Sequence, residues 1–320
     1  MYKRILAALL IFIVGMNVIG CSKVKEESQD TALQQLQSLT IGVMPDVDSI
    51  PLIIAKHNGY FEEEGLDIEI QYFKSAVDRD TALQTGNIDG AISDILAVVF
   101  LNDNGFNVKI TSKTNGSFKL IAAKNSNISS LKDGTGGSIG ISKNTIIEYL
   151  TDRIMDDSNI DASSYKKVAI PKIPTRLEML EYGKIDMATL PEPLASIAAS
   201  KGGIVLSSSD KLKINPGIIL FTEKTINSKP NELKALYRAY NKSVEYLNKE
   251  DLKSYVNILI EKAGFPDIIK ETLTLPNYER ASMPSEKEFN QVLDWLRSKE
   301  LTTNEYLLEE LWDKSFISSK

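Results

Sequence analysis

Apolar positions in this 320-residue chain fall into short blocks whose period switches between two and three-to-four residues. Leu39-Thr40-Ile41-Gly42-Val43 has strand character and breaks at the turn Met44-Pro45-Asp46. Ser49 is placed to cap a helix carrying Pro51 in its first turn, which Asn58-Gly59 stops. Leu66, Ile68, Ile70 and Tyr72 then alternate with Asp67, Glu69 and Gln71, the period-two signature of a half-buried strand. Helical spacing over Ala76–Thr85 ends at Gly86, and Ile88–Ile92 reads as a strand. Asp94 opens a helix over Ile95–Asn102, and Val108–Ser112 is a further strand. Such alternation builds a parallel sheet layered between helices.

The pattern pauses at Lys113–Ser117 and then restarts. Strands are predicted over Phe118–Ala123, Ser138–Ser142, Val168–Ile170, Met187–Leu190, Ile204–Leu206 and Ile218–Thr222. Helices from Asn144 or Thr145 to Asp156, over Pro174–Tyr182 and over Leu194–Ser200 lie between them. Thereafter the spacing is helical: Asn231–Asn248, Asp251–Ala263, Pro266–Leu273, Ser285–Lys299 and Asn304–Ser315, with Ser285 and Glu288 set as a capping box. The expected fold class is α/β, with two parallel-type sheets flanked by helices in two lobes.

The opening of the chain has a different pattern. Lys3-Arg4 precedes an apolar run, Ile5–Ile19, and Gly20 precedes Cys21, the single cysteine. A basic start, an apolar core and a small residue at the cut site make an export signal over residues 1–20. The run is short beside the ~20 apolar residues of a spanning helix. Ser22–Gln37 is polar and reads as a flexible tether. Cys21 at the cut site resembles a bacterial lipobox, which implies acylation and a lipid membrane as partner.

Net charge is −6, and loss of Lys3 and Arg4 with the signal leaves −8. An acidic surface does not suit nucleic acid, whose phosphates need clustered Lys and Arg. At 42% hydrophobic and 25% charged residues the remainder is ordinary globular protein, long enough for two lobes. One histidine, His57, and one cysteine exclude a zinc site of His and Cys ligands by count. Gly134, Gly136, Gly137 and Gly140 meet neither the Walker nor the dinucleotide spacing, and no serine sits in a nucleophile elbow. No enzyme activity, cofactor or metal is expected, and a monomer is.

Several phrases are distinctive. Ala55-Lys56-His57-Asn58-Gly59-Tyr60-Phe61-Glu62-Glu63-Glu64-Gly65-Leu66-Asp67-Ile68-Glu69 resembles the "A…GYFxxEGLDVE" stretch of one branch of bacterial ABC-importer substrate-binding proteins. That branch serves nitrate, sulfonates such as taurine, and thiamine pyrimidine precursors. Gly86–Ala91 and Gly183–Ala188 are similar to its "G-x-I-D-A" phrase, and Leu190-Pro191-Glu192-Pro193 to its "EP" turn. The resemblance implies a type II periplasmic-binding-protein fold, with one lobe from residues 38–115 and 222–320, the other from 116–221, and two crossings as hinges. It implies a small-molecule solute and a membrane permease as partners, and an extracytoplasmic place at the cell membrane. A sulfonate- or nitrate-binding importer protein is the first alternative reading, and a ligand-sensing lipoprotein and a thiamine-pyrimidine-synthase-like enzyme are the others.

Ligands of open parallel sheets sit beyond the carboxyl ends of the strands, where helix N-termini converge. The candidate contacts are therefore Pro45, Asp46 and Ser49; Ser93 and Asp94; Asn115 and Gly116 in the crossing; Ser142, Asn144 and Thr145; and Thr189 and Glu192. Asp46, Asp48, Asp94 and Glu192 put more acid than base there. Lys143 is the evident cation, since Arg79, Arg153 and Arg176 fall in helices. That balance leans toward a neutral or cationic nitrogen compound over an oxyanion.

Overall fold

The computed structural model describes residues 36–317, so the export signal, Cys21 and nearly all of the tether lie outside the described residues. No helix among the described residues is long and apolar enough to cross a membrane.

Ten strands form two five-stranded sheets. The first contains β1 (Leu39–Val43), β2 (Ile68–Tyr72), β3 (Gly90–Asp94), β4 (Val108–Lys113) and β10 (Gly217–Thr222), in the order β2-β1-β3-β10-β4. The second contains β5 (Phe118–Ala122), β6 (Ser138–Ile141), β7 (Lys166–Ala169), β8 (Met187–Pro191) and β9 (Ile204–Ser208), in the order β7-β6-β8-β5-β9. Both sheets are mixed. β10 runs antiparallel to β3 and β4, and β5 runs antiparallel to β8 and β9. Each reversed strand is the one that the chain lays down on first entering that sheet from the other lobe.

This topology moves one boundary. Residues 217–221 read from sequence as the end of the second lobe, but they are strand β10 of the first sheet. The apolar run Ile218–Phe221 does not reveal which sheet it joins, because a strand buried on both faces looks alike in either. The crossings are thus Thr114–Ser117 and the segment just before Gly217. They lie side by side: the Thr114 amide donates to the Gly217 carbonyl (3.0 Å), and Asn215 Nδ2 donates to the Thr114 carbonyl (2.6 Å).

Sequence dictates much of the layering. β3 is buried along its whole length, as a central strand requires, whereas the edge strand β2 buries only Ile68, half-buries Ile70 and Gln71 and exposes Glu69 and Tyr72. Helix Pro230–Leu247 buries Leu233, Leu236, Tyr237, Tyr240 and Val244 on one stripe and packs on helix Ile50–His57. Each such aliphatic side chain contributes about 1.5–3 kcal/mol of burial. The Ser285–Glu288 capping box forms as the spacing predicts. The helix expected over Asn304–Ser315 shrinks to Leu308–Leu311, because Trp312 bridges Ile110 and the Asp313 amide donates to the Ile110 carbonyl (2.8 Å). Pairing at the open edge of β4 outweighs helical propensity there. Pro266–Leu273 likewise keeps only Ile269–Thr272 as helix.

The lobes meet away from the crossings too. Helix Glu286–Ser298 packs on helix Ile95–Asp103 of the first lobe and reaches the second. There Trp295 Nε1 donates to Asp152 Oδ2 (3.1 Å), its ring stands edge-on to Tyr149 (5.7 Å between centroids), and Lys299 pairs with Asp152 (2.9 Å).

Candidate functional site

At their carboxyl ends the two sheets enclose a cavity of about 30 Å³. Its walls come from both lobes. The first supplies Met44, Asp46 and Asp48 after β1, Ser93 and Asp94 from the end of β3, and Arg79 from helix Ala76–Gln84. The second supplies Ser142 after β6, Thr145, Ile146 and Ile147 at the start of helix Ile146–Asp157, Arg176 from helix Ile173–Glu181, and Pro191 at the end of β8. Backbone bonds cross the cleft on either side: the Val47 amide donates to the Glu192 carbonyl (3.2 Å) and the Ile173 amide to the Lys74 carbonyl (3.1 Å). The lobes are closed upon one another. A cavity this size holds little more than a couple of waters, so a larger guest would require the lobes to part.

Of the residues singled out from sequence, Asp46, Ser93, Asp94, Ser142 and Thr145 line the cavity. Asp94 also caps its helix, accepting from the Ala97 amide (2.9 Å). The others stand elsewhere, each for a physical reason. Pro45 shapes the turn behind the wall, and the Ser49 hydroxyl folds back to donate to the Asp46 carbonyl (2.7 Å). Asn115 accepts from the Glu279 amide at the crossing (3.0 Å). Gly116 lies against Asp48, whose Oδ2 would stand 2.4 Å from a Cβ there. Asn144 takes the left-handed conformation (φ 57°) before the helix start, its amide donating to Glu148 Oε2 (2.8 Å). Thr189 is fully buried on the Thr151 hydroxyl (2.7 Å). Glu192, also fully buried, accepts from Ser196 N–H and Oγ–H (3.0 and 2.8 Å) and pairs with Lys119, so its carboxylate is spent within its own lobe.

The largest departure concerns cations. Lys143 is exposed and outside the cavity, whereas Arg79 and Arg176, 1% and 0% exposed, line it. Each rises from the first turn of a helix, and its stem lies under a strand glycine. A Cβ on Gly42 would stand 3.4 Å from Arg79 Cγ, and one on Gly140 3.2 Å from Arg176 Cγ. The positions are repeats of one unit. Arg79–Ala91 (RDTALQTGNIDGA) and Arg176–Ala188 (RLEMLEYGKIDMA) agree at six of thirteen places. The shared aspartates do the same work, Asp89 accepting from the Thr40 amide (2.9 Å) and Asp186 from the Ser138 amide (2.7 Å). That common spacing is the sequence signal for both arginines, because it fixes an arginine ten residues before the aspartate of each I-D step.

The two guanidinium groups differ in their partners. Arg79 donates to the Ile92 carbonyl (3.0 Å) and pairs with Asp80 (2.8 Å). Arg176 has no hydrogen-bond partner for Nε, Nη1 or Nη2 among the described residues. Burial draws its guanidinium down to about 9, so it stays protonated at neutral pH. Across the cavity, burial pushes Asp48 up to about 6, with the Thr114 hydroxyl working against it. Asp46 is pushed well up by burial and then by Asp48, and Arg79 offsets part of that. Asp94 is raised by burial, with Arg79 and the Ala97 and Ile146 amides opposing. Asp46 Oδ1, Asp48 Oδ1 and the Ser93 hydroxyl are buried without partners among the described residues. Buried polar atoms left unpaired are costly, and here they gather around one space.

Similarity to known proteins agrees with this layout. A Staphylococcus aureus ligand-binding component of an ABC-type import system, solved with zinc bound, superposes with a TM-score of 0.75 at 17% identity, over 88% of this chain and 97% of that one. The alkanesulfonate-binding protein SsuA of Xanthomonas axonopodis pv. citri, bound to MOPS, gives 0.74 at 17%, over 87% and 98%. At these identities the likeness establishes the two-lobe type II periplasmic-binding-protein fold. A Brachyspira hyodysenteriae protein assigned as an ABC transporter periplasmic binding protein is 23% identical over 229 residues, 67% of this chain. The chain spans 66% of that relative's length. The NMT1/THI5-like family model matches residues 46–251, more than half of the sequence and most of both sheets, and the chain belongs to that family.

Proposed function

We propose that this protein is an extracytoplasmic solute-binding lipoprotein of an ABC importer, tethered through Cys21 and delivering a small molecule to a membrane permease. The observation that carries the reading is the cavity at the sheet ends, with Arg176 buried in its wall and unpartnered among the described residues. A guanidinium in that state needs an acceptor, and a solute entering between the lobes brings one. Ligand contacts from both lobes favour the closed form, and closure is a shape a permease can recognise. Capture fits better than turnover, because the single histidine, His57, is exposed on helix Ile50–His57 and does not line the cavity. The roles of the Staphylococcus aureus import component and the Xanthomonas sulfonate-binding protein, whose folds this chain shares, point the same way.

Set against the sequence lean toward a neutral or cationic nitrogen compound, Arg176 supports a guest with at least one oxyanion or strong acceptor. Purified protein is expected to melt at higher temperature as a cognate solute is added, since ligand bound only by the native state stabilises it. Native mass spectrometry of protein taken from its own cells would identify a co-purified solute. Failure of every nitrate, sulfonate, carboxylate, pyrimidine and amine probe to shift melting at millimolar concentration would remove the capture reading. Cys21→Ser is expected to release the protein from the membrane fraction.

A further inference from the structure

Both crossings between the lobes pass over one carboxyl group. Asp48 follows β1 in the turn Val47–Ser49, is 5% exposed, and fills the space that the crossing glycines leave. A Cβ on Gly116 would stand 2.4 Å from its Oδ2, and one on Gly217 3.3 Å from its Oδ1. Oδ1 has no hydrogen-bond partner among the described residues, and neither has the fully buried Thr114 hydroxyl beside Gly217. The backbone next to Asp48 is tied down on both sides. The Val47 amide reaches the Glu192 carbonyl of the second lobe, and the Tyr278 hydroxyl donates to the Val47 carbonyl (2.9 Å). The carboxyl therefore sits at the pivot of any motion between the lobes.

Its surroundings offer little support for a negative charge. Asp46 shares its turn, and Tyr240 and Tyr278 face it from helix Pro230–Leu247 and from the segment after helix Ile269–Thr272. Glu279 faces Tyr240 and is paired with Lys113 (2.6 Å). The cations of the cavity act elsewhere: Arg79 offsets Asp46 and Asp94, and Arg176 stands on the second lobe. Burial and the Thr114 hydroxyl are what act on Asp48 itself. Phe118, Ile146, Ile147 and Pro191 of the second lobe complete the cavity that Asp48 lines, so parting the lobes brings water to the carboxyl and closing them removes it. A charge stripped of water without a counter-ion is costly, and a carboxylate escapes that cost by binding a proton.

We infer that closure of the lobes takes up a proton at Asp48, so that the hinge grips more firmly in mildly acid surroundings and loosens as they turn neutral. This rests on the lobes parting as solute capture requires, and makes the proton a second ligand of the closed form. The sign follows from the two forms. Burial in the closed form raises the carboxyl to about 6, and water in the open form returns it toward the ordinary carboxylate range. The proton's contribution to closure is complete below that ordinary range and is lost as pH rises through 6. Between those limits the ratio of closed to open molecules falls by up to about tenfold per pH unit.

Small-angle X-ray scattering of the purified protein, freed of any co-purified solute, tests this from pH 4 to 8. Asp46 and Asp48 titrate as a pair, so the decisive comparison is made with Asp46 neutralised. In Asp46→Asn the radius of gyration is expected to grow as pH rises through the transition. With Asp48→Asn added it is expected to keep the compact value throughout, because asparagine has no proton to lose. General acid loosening would swell the protein at low pH, the opposite direction. Melting curves at each pH serve as the folding control. A constant radius in Asp46→Asn, a pH dependence that survives removal of both carboxyls, or a double variant fixed at the larger radius overturns the proton coupling. Each of those results leaves solute capture standing, since that reading is judged by the melting shifts that solutes cause at one pH.

Discussion

Arg79 and Arg176 occupy equivalent places in two copies of one α/β unit, and the copies have put them to different uses. In the first lobe the guanidinium is neutralised by Asp80 and held by the Ile92 carbonyl. In the second, Leu177 stands where Asp80 would be, and the guanidinium remains bare. One residue beside an otherwise retained arginine separates a guanidinium paired with a carboxylate from one with no hydrogen-bond partner among the described residues. The lesson concerns cost. A buried ion paired with a carboxylate, as Arg79 is even with Nη2 lacking a hydrogen bond, supports its own lobe, while an unpaired one weakens it.

The sharpest way to break this contrast is to neutralise each arginine in turn. Arg176→Gln is expected to weaken cognate solute by about a hundredfold or more and to raise the melting temperature of the free protein. Arg79→Gln is expected to do the opposite to stability, lowering it by about 1–3 kcal/mol by stranding the Ile92 carbonyl and Asp80. Calorimetry paired with thermal denaturation checks both, and matching responses from the two variants would dissolve the distinction.

The acids opposite Arg176 make a second test. Burial raises Asp48 from an ordinary carboxylate to about 6, so the folded state holds a proton that the unfolded state has lost. Its contribution to stability is therefore present below the unfolded value and disappears as pH rises toward 6. Asp46, Arg79, Thr114, Tyr240 and Tyr278 surround this group and share its field. Asp48→Asn should flatten the pH dependence and stabilise the free protein above pH 6 by at most about 3 kcal/mol, two pH units at 1.36 kcal/mol each. Denaturant titrations from pH 4 to 8 would detect it, and an unchanged profile would place the proton elsewhere.

The glycines beneath the arginines come next. A Cβ at Gly42 or Gly140 would stand 2.5 Å from Ile88 Cδ1 or Ile185 Cδ1, so alanine at either should cost about 1–3 kcal/mol through overpacking. Only Gly140→Ala is expected to weaken solute binding as well, because it displaces the stem of Arg176. The smallest effect is expected from Asp152→Asn. It loosens the interlobe contact of Trp295 and Lys299 and should lower solute affinity a few-fold without touching the cavity.

The sequence reading and the structure diverge in an instructive way. The succession of strands and helices along the chain, the helix caps at Asp94 and Ser285 and the strand-end position of the cavity follow from local pattern, which periodicity and capping residues encode. The arginines belong to helices by sequence, and although the repeated R…G-x-I-D spacing marks them as a pair, the tertiary fold is what carries a first-turn side chain past its strand into the gap. Glu192 erred the other way. Two flanking prolines aim its backbone at the cleft, yet Lys119 and Ser196 take its carboxylate away from it. A partner contributed by a distant strand leaves no local trace. Residues 217–221 changed lobes for the same reason, since pairing is decided by neighbours that the strand itself does not name.

The tryptophan contact across the lobes has a practical consequence. The chain has two tryptophans, and one of them, Trp295, is anchored in the first lobe with its indole N–H bonded to the second. Any motion that separates Asp152 from that ring changes its surroundings from dry to wet. Trp312 stays on the β4 edge and supplies a constant background. The molecule thus carries an intrinsic optical gauge of its own opening, readable by emission wavelength without a label.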